Sequence, residues 1–289
     1  MGLYLPQVRM GPATIEAKVR VAEEAGFHSA WLMDHLAPPM LPHGDVLEGW
    51  TLASFLAART STIRLGHLVL ADALRHPVVL AKMAATLDVL SGGRLELGLG
   101  WGSVPDELRR YGITGAGAAD RSARLAETLE VLDLMLSGEP FDLEGRFHTY
   151  QGAIGRPVPV QSKIPIHLGG GGPKLTMPLV ARWADWWNCP GYALERLDEL
   201  RPLAGSARLS LQRVVGLAPT SAERDEVRAT VERRFGAWGG AVSGTPDEVA
   251  TALRDDMARG VELFIVQLSD FGRPETIRLF ADEVLPALA

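Results

Sequence analysis

Ile63-Arg-Leu-Gly-His-Leu-Val-Leu70, then Pro77 to Leu90, then Ser91-Gly-Gly-Arg94-Leu-Glu-Leu-Gly-Leu99 read as strand, helix, stop and strand. The two flanking runs are short and apolar, with a length suited to buried strands. Pro77 stands where the first turn of a helix tolerates proline, and Ser91-Gly92-Gly93 ends that helix. A parallel strand pair needs this kind of crossover, which is right-handed in nearly all cases. The same unit recurs outward in both directions. Upstream, residues 2–5 form a strand. A helix over 13–25 with Ile15, Val19, Ala22 and Ala25 at helical spacing follows, and then the strand Ser29–Met33. A proline-rich loop from Pro38 to Gly49 and a buried helix over 50–60 lead back to Ile63. Downstream, strands are expected at Ile164–Leu168, Asp185–Asn188, Leu209–Leu217 and Glu262–Leu268. Helices follow to Ala184, over Ser221–Phe235, after Thr245-Pro246-Asp247-Glu248 and over Pro274–Leu288. Eight β-then-α units in one 289-residue chain predict an α/β fold, a closed (β/α)8 TIM barrel forming a single domain over 1–289. The rhythm breaks only at 103–163, read as an insertion after the fourth strand, with a helix over Asp120–Leu136 and a hairpin around Phe141–Tyr150 turning at Glu144-Gly145.

Composition narrows the function. A net charge of −6 with dispersed basic residues argues against nucleic acid as a partner. No apolar run approaches the roughly 18 residues of a membrane helix, and no leader pattern is visible. The lone cysteine, Cys189, has no partner for an internal disulfide and is read as a buried apolar thiol, so the expectation is a cytoplasmic protein. The seven histidines show no His-x-His or His-Glu-x-x-His spacing, so no metal is expected. Neither Gly-x-Ser-x-Gly nor an opening Gly-x-Gly-x-x-Gly is present, which weighs against a serine hydrolase and an open dinucleotide-binding sheet.

In a barrel of this type the ligand sits at the carboxyl ends of the strands. Pro165-Ile-His-Leu-Gly-Gly-Gly-Gly-Pro173 runs a strand into four glycines and then a helix. Glycines permit close backbone approach, and exposed N–H groups at a helix start can cradle a phosphate without lysine. A flexible turn is the plainer alternative. Asp34-His35 ends the second strand, where an imidazole can move a proton near neutral pH. Gly100-Trp101-Gly102-Ser103 ends the fourth, where Trp101 could stack on a flat ring or wall a pocket; core packing is its plain alternative. Trp183, Trp186 and Trp187 are read as packing residues.

Taken together, these segments resemble the bacterial luciferase-like monooxygenase family, in its F420-dependent oxidoreductase branch. The stretches that carry the likeness run in family order: Glu23–His35, Thr60–Gly66, Arg75–Lys82, Ala85–Arg94, Leu95–Gly100, Pro165–Gly172, Gly244–Pro246 and Glu283–Pro286. The resemblance implies a cofactor of coenzyme F420, or alternatively FMN, that comes and goes with each reaction. It implies a non-proline cis peptide in the third strand, at Leu68–Val69, forming a bulge behind the cofactor ring. Asp34 and His35 would be the catalytic pair beside the ring, while Leu68, Val69, Gly100, Gly169, Gly170, Gly171, Gly172 and Pro173 would bind the cofactor. Trp101, Ser103 and Trp50 are assigned to a small-molecule substrate. A flavin or F420 reductase as cofactor supplier and a homodimer through barrel helices are further expectations. The chain departs from the family's sugar-phosphate dehydrogenases, which place a tryptophan soon after Asp-His and an acid at the position of Ser103. Here Pro38-Pro39 and Ser103 stand instead, so glucose-6-phosphate dehydrogenase activity is not expected.

Overall fold

The structure, a computed structural model, describes residues 1–39, 41, 43–102, 104–113 and 117–288; Ser103, assigned above to the substrate side, lies outside them. Eight parallel strands carry the fold: β1 (Gly2–Tyr4), β2 (Ser29–Leu32), β3 (Arg64–His67), β4 (Leu95–Gly100), β5 (Ile166–Gly169), β6 (Trp186–Cys189), β7 (Arg208–Leu217) and β8 (Leu263–Leu268). Each pairs with the next, and β8 returns to β1, closing the ring. Closure removes the edges of the ring itself, and one further short strand, Val242–Gly244, pairs in parallel with the end of β7.

Side chains alternate across the strands because successive Cβ atoms point to opposite faces. Leu3, Leu32, Leu65, Leu97, Leu211 and Val266 point outward and bury against the helices. Tyr4, Trp31, Met33, Leu68, Leu263 and Ile265 form a separate cluster inside the ring. Trp31 is fully buried there, and Gly66 makes room for it: a Cβ at that position would come within 2.5 Å of the indole. Polar groups share the interior. His167 bonds Glu96 at 2.7 Å and stacks on Trp186 with centroids 5.6 Å apart, while Glu96 pairs with Arg64. The interior is thus filled with side chains, and open volume is left for the strand ends.

The third strand is interrupted. After His67 the Leu68–Val69 peptide is cis, and pairing resumes at Leu70–Ala71 against β4. The expected single strand Ile63–Leu70 is therefore two pieces around a bulge. The helix Pro77–Ser91 ends on Gly92 in the left-handed region (φ 67°), as the glycine pair foretold. Thr245 and Glu248 form a reciprocal capping box on Pro246–Ala258. Residues 103–163 divide differently from expectation. The helix Ala118–Ser137 packs on Pro77–Ser91 and buries Leu125, Leu129, Val131 and Leu132 in the main core, so it is the barrel's own fourth helix. The additional matter is a short helix, Pro105–Arg110, and the antiparallel hairpin Phe141–Glu144 with Thr149–Ala153, whose connection is longer than the Glu144-Gly145 turn. The C-terminal segment is α-helical over Pro274–Leu279, widens into a π-helix over Phe280–Val284 and closes with a 3-10 turn over Pro286–Leu288. No helix among the described residues is long and apolar enough to cross a membrane.

Candidate active site

A cavity of about 550 Å³ opens at the carboxyl ends of the strands. That size suits a cofactor ring with a small molecule beside it. Three of the segments singled out in the sequence meet in its lining: Asp34-His35, Leu68-Val69 and Gly169–Gly172, joined by Gly100 and Trp101.

Asp34 is almost wholly buried and committed. Its carboxylate accepts from both terminal nitrogens of Arg75, at 2.7 and 2.9 Å, and from the backbone N–H of Ala71 at 2.8 Å. Arg75 also reaches Glu48 at 2.6 Å. Burial works against the Arg75 charge, but the hydrogen bonds and charge of Asp34, with that of Glu48, outweigh it and raise its pKa further. A carboxylate held bidentately in this way is a brace. It ties the end of β2 to the segment that resumes after the bulge.

His35 has one ring nitrogen engaged among the described residues. Its Nδ1 lies 2.7 Å from Oε2 of Glu107, and Oε1 of the same carboxylate accepts the N–H groups of Leu36 at 2.6 Å and Ala37 at 3.2 Å. Burial would lift the Glu107 pKa, but the bond and charge of His35, with the two backbone donors, hold it below the ordinary carboxylate value. An ionised Glu107 selects the tautomer with Nδ1–H and leaves Nε2 with its lone pair. Sequence reading did not single out Glu107. Its signal was Pro105-Asp-Glu107, a helix start soon after β4 that belonged to a stretch read as insertion.

Glycines shape the opposite wall. Val69 sits between the ends of β4 and β5, where a Cβ on Gly100 would lie 2.7 Å from Val69 Cγ2 and one on Gly169 would lie 3.2 Å from Cγ1. Only side-chain-free positions let the bulge seat there. Gly170 adopts φ +128°, open to glycine alone, with its N–H on the Asn188 carbonyl at 3.2 Å and its carbonyl accepting Trp187 Nε1 at 2.8 Å. The loop is therefore pinned from β6. The N–H groups of Gly171 and Gly172 have no protein acceptor among the described residues, and both glycines line the cavity. The expected helix does not follow them directly. A turn over 173–176 intervenes, and the helix Met177–Trp183 has seven residues, so phosphate binding here would rest on backbone N–H groups with little dipole support.

Two assignments fall elsewhere. Pro173 lies in that turn and is not in the cavity lining. Trp50, expected near the substrate, is buried in the main core and stacks on His67 with centroids 5.3 Å apart and planes at 6°. Both faces of a helix-opening tryptophan are plausible from sequence; here the partner ring across β3 takes it inward. Burial also pushes the His67 pKa down, keeping that imidazole neutral. Trp101 does line the cavity, bonding Thr176 Oγ1 at 3.3 Å, with Arg121 5.1 Å from its ring centroid. Asn188 and Gln212, from β6 and β7, add neutral polar groups that the sequence did not mark. Cys189 is fully buried and its thiol is pushed up to about 12 by burial.

The pattern of the family described as luciferase-like monooxygenase matches residues 3–240. An F420-dependent glucose-6-phosphate dehydrogenase of Microbacterium testaceum is 36% identical over 157 residues, 54% of this chain but only 46% of that protein, so the match spans about half of the relative. A protein of the same name from Nakamurella multipartita is 26% identical over 97% of this chain and 94% of its own. Among solved structures, an F420-dependent secondary alcohol dehydrogenase in complex with an F420-acetone adduct superposes with a TM-score of 0.84 at 18% identity, over 100% of this chain and 98% of that one.

Proposed function

Since the chain belongs to the luciferase-like monooxygenase family, we propose that it is an F420-dependent oxidoreductase that moves a hydride between the deazaflavin and a small organic substrate. One observation carries the reading. The His35–Glu107 pair, the Val69 bulge and the unpaired N–H groups of Gly171 and Gly172 all belong to one cavity. A wall in which Val69 seats against Gly100 and Gly169 suits a flat ring, because the bulge offers it one compact apolar side chain. Gly171 and Gly172 would take the cofactor phosphate with their N–H groups. When bound, the deazaflavin supplies two-electron chemistry as hydride transfer.

The chain's own residues handle the proton. With Nδ1–H given to Glu107, His35 presents Nε2 as a base toward a substrate hydroxyl, or as an acid in the reverse direction once protonated. Glu107 positions the ring and steadies the imidazolium that forms, as carboxylates do in acid–base dyads. Asp34 acts through Arg75 and Ala71 by fixing the loop that bears His35. An F420 reductase elsewhere would return the cofactor to its starting state.

Titration of the purified protein with oxidised and reduced F420 and with FMN tests this reading. Binding of F420 without FMN is expected, weakened at least tenfold in Gly171→Val, whose side chain would crowd Ala193. Binding of FMN alone, with reduced flavin consuming oxygen, would instead establish a two-component monooxygenase.

A further inference from the structure

Resting on the proposed function, we infer that the substrate is an uncharged alcohol or ketone with a compact apolar body, and that phosphorylated or carboxylated compounds are excluded. The cavity lining holds two carboxylates, Asp34 and Glu107, and no lysine or arginine among the described residues. The guanidinium nearest Asp34 belongs to Arg75, which is outside the lining and spent on Asp34 and Glu48. A phosphomonoester or carboxylate brought here would lose its hydration, meet Glu107 as a like charge and find no lysine or arginine in the lining, Arg121 lying against the Trp101 ring outside it. The free backbone donors, on Gly171 and Gly172, are already taken by the cofactor phosphate in the proposed arrangement.

The remaining lining points the other way. Leu74, Trp101, Val104 and Leu108 present apolar surface around His35, with Val104 and Leu108 contributed by the same short segment that carries Glu107. One polar group of the substrate, a hydroxyl or carbonyl, is met by His35; the rest of the molecule is met by hydrocarbon and indole. In the oxidising direction the bound deazaflavin would supply the acceptor for the substrate's C–H hydrogen, which leaves with its bonding pair as hydride, while Nε2 of His35 would take the O–H proton as the C=O bond forms. The reducing direction reverses each transfer.

Calorimetric titration with cyclohexanone, cyclohexanol and glucose 6-phosphate tests the inference, on protein with and without F420. Turnover is followed in parallel by deazaflavin absorbance. In the F420-loaded protein, where the Gly171 and Gly172 donors are occupied, the cyclic pair is expected to bind at least tenfold more tightly than the sugar phosphate and to turn over. Leu74→Ala should weaken cyclohexanone about tenfold while leaving F420 affinity unchanged, because it removes apolar contact on the substrate side (about 0.8 kcal/mol per methylene). Tighter binding of glucose 6-phosphate to the loaded protein, or an affinity for cyclohexanone that ignores Leu74, overturns the inference. A flat F420 titration would sink the proposed function instead, and the affinity of the cofactor-free protein for cyclohexanone, with its dependence on Leu74, would still decide the present point.

Discussion

Replacing Asp34 by asparagine should cost roughly 3 kcal/mol of folding stability, although asparagine has nearly the same shape. The figure follows from the surroundings. Asp34 and Arg75 side chains are 3% and 11% exposed, and the carboxylate accepts three hydrogen bonds. Removing one member of a buried ion pair costs about 3–5 kcal/mol, chiefly because the other charge stays desolvated. Arg75 keeps its contact to Glu48, but that carboxylate is 47% exposed and worth about 1 kcal/mol at most, so the lower end of the range applies. For a chain of this size roughly 2 °C of melting temperature accompanies each kcal/mol, which gives a drop of about 6 °C. Differential scanning calorimetry of wild type, Asp34→Asn, Arg75→Gln and the double variant would measure it. The double variant should fall well short of the summed single losses, with a coupling of about 1–3 kcal/mol. A loss under about 1 kcal/mol in Asp34→Asn, or additive single losses, would show that the pair is not the brace described here.

Other outcomes follow from the same geometry. Glu107 has a folded pKa below its ordinary 4.5, so its contribution to stability is present above that pH and is lost as pH falls through the folded value. The gap between wild type and Glu107→Gln in urea melts should therefore be widest near neutrality and close below about pH 4.5; a gap that grows on acidification contradicts the assignment. In turnover with F420, Glu107→Gln should shift the pH profile of kcat more than KM, since it acts through His35. Gly98→Ala should destabilise by about 3 kcal/mol or more, because its Cβ would fall 1.9 Å from the His67 carbonyl oxygen, a backbone atom at the base of the bulge. Gly11→Ala, with nothing within 4 Å, should cost about 1 kcal/mol at most, through the weaker N-cap of Pro12–Glu24, and equal effects for the two would be inconsistent with this packing. Cys189, buried and with its thiol pushed up to about 12, should resist a disulfide reagent in the native protein and react at once in denaturant.

Periodic features were legible in the residues alone, because they arise from local physics. Short apolar runs, helical spacing and glycine or proline stops marked all eight barrel strands, with ends displaced by one or a few residues. The order of those units left a closed barrel as the architecture, and a barrel directs attention to the strand ends, where His35, Trp101 and Gly169–Gly172 indeed line the cavity. Pairings across long stretches of chain were not legible. Glu107 reaches His35 from 72 residues away, Arg75 reaches Asp34 from 41, and Trp50 turns toward His67 rather than the substrate side. None of these follows from spacing, since each depends on which side chain fills the volume that a distant strand or loop leaves open. Folding in three dimensions set a histidine at a strand end against a distant carboxylate and turned its aspartate neighbour into a buried strut.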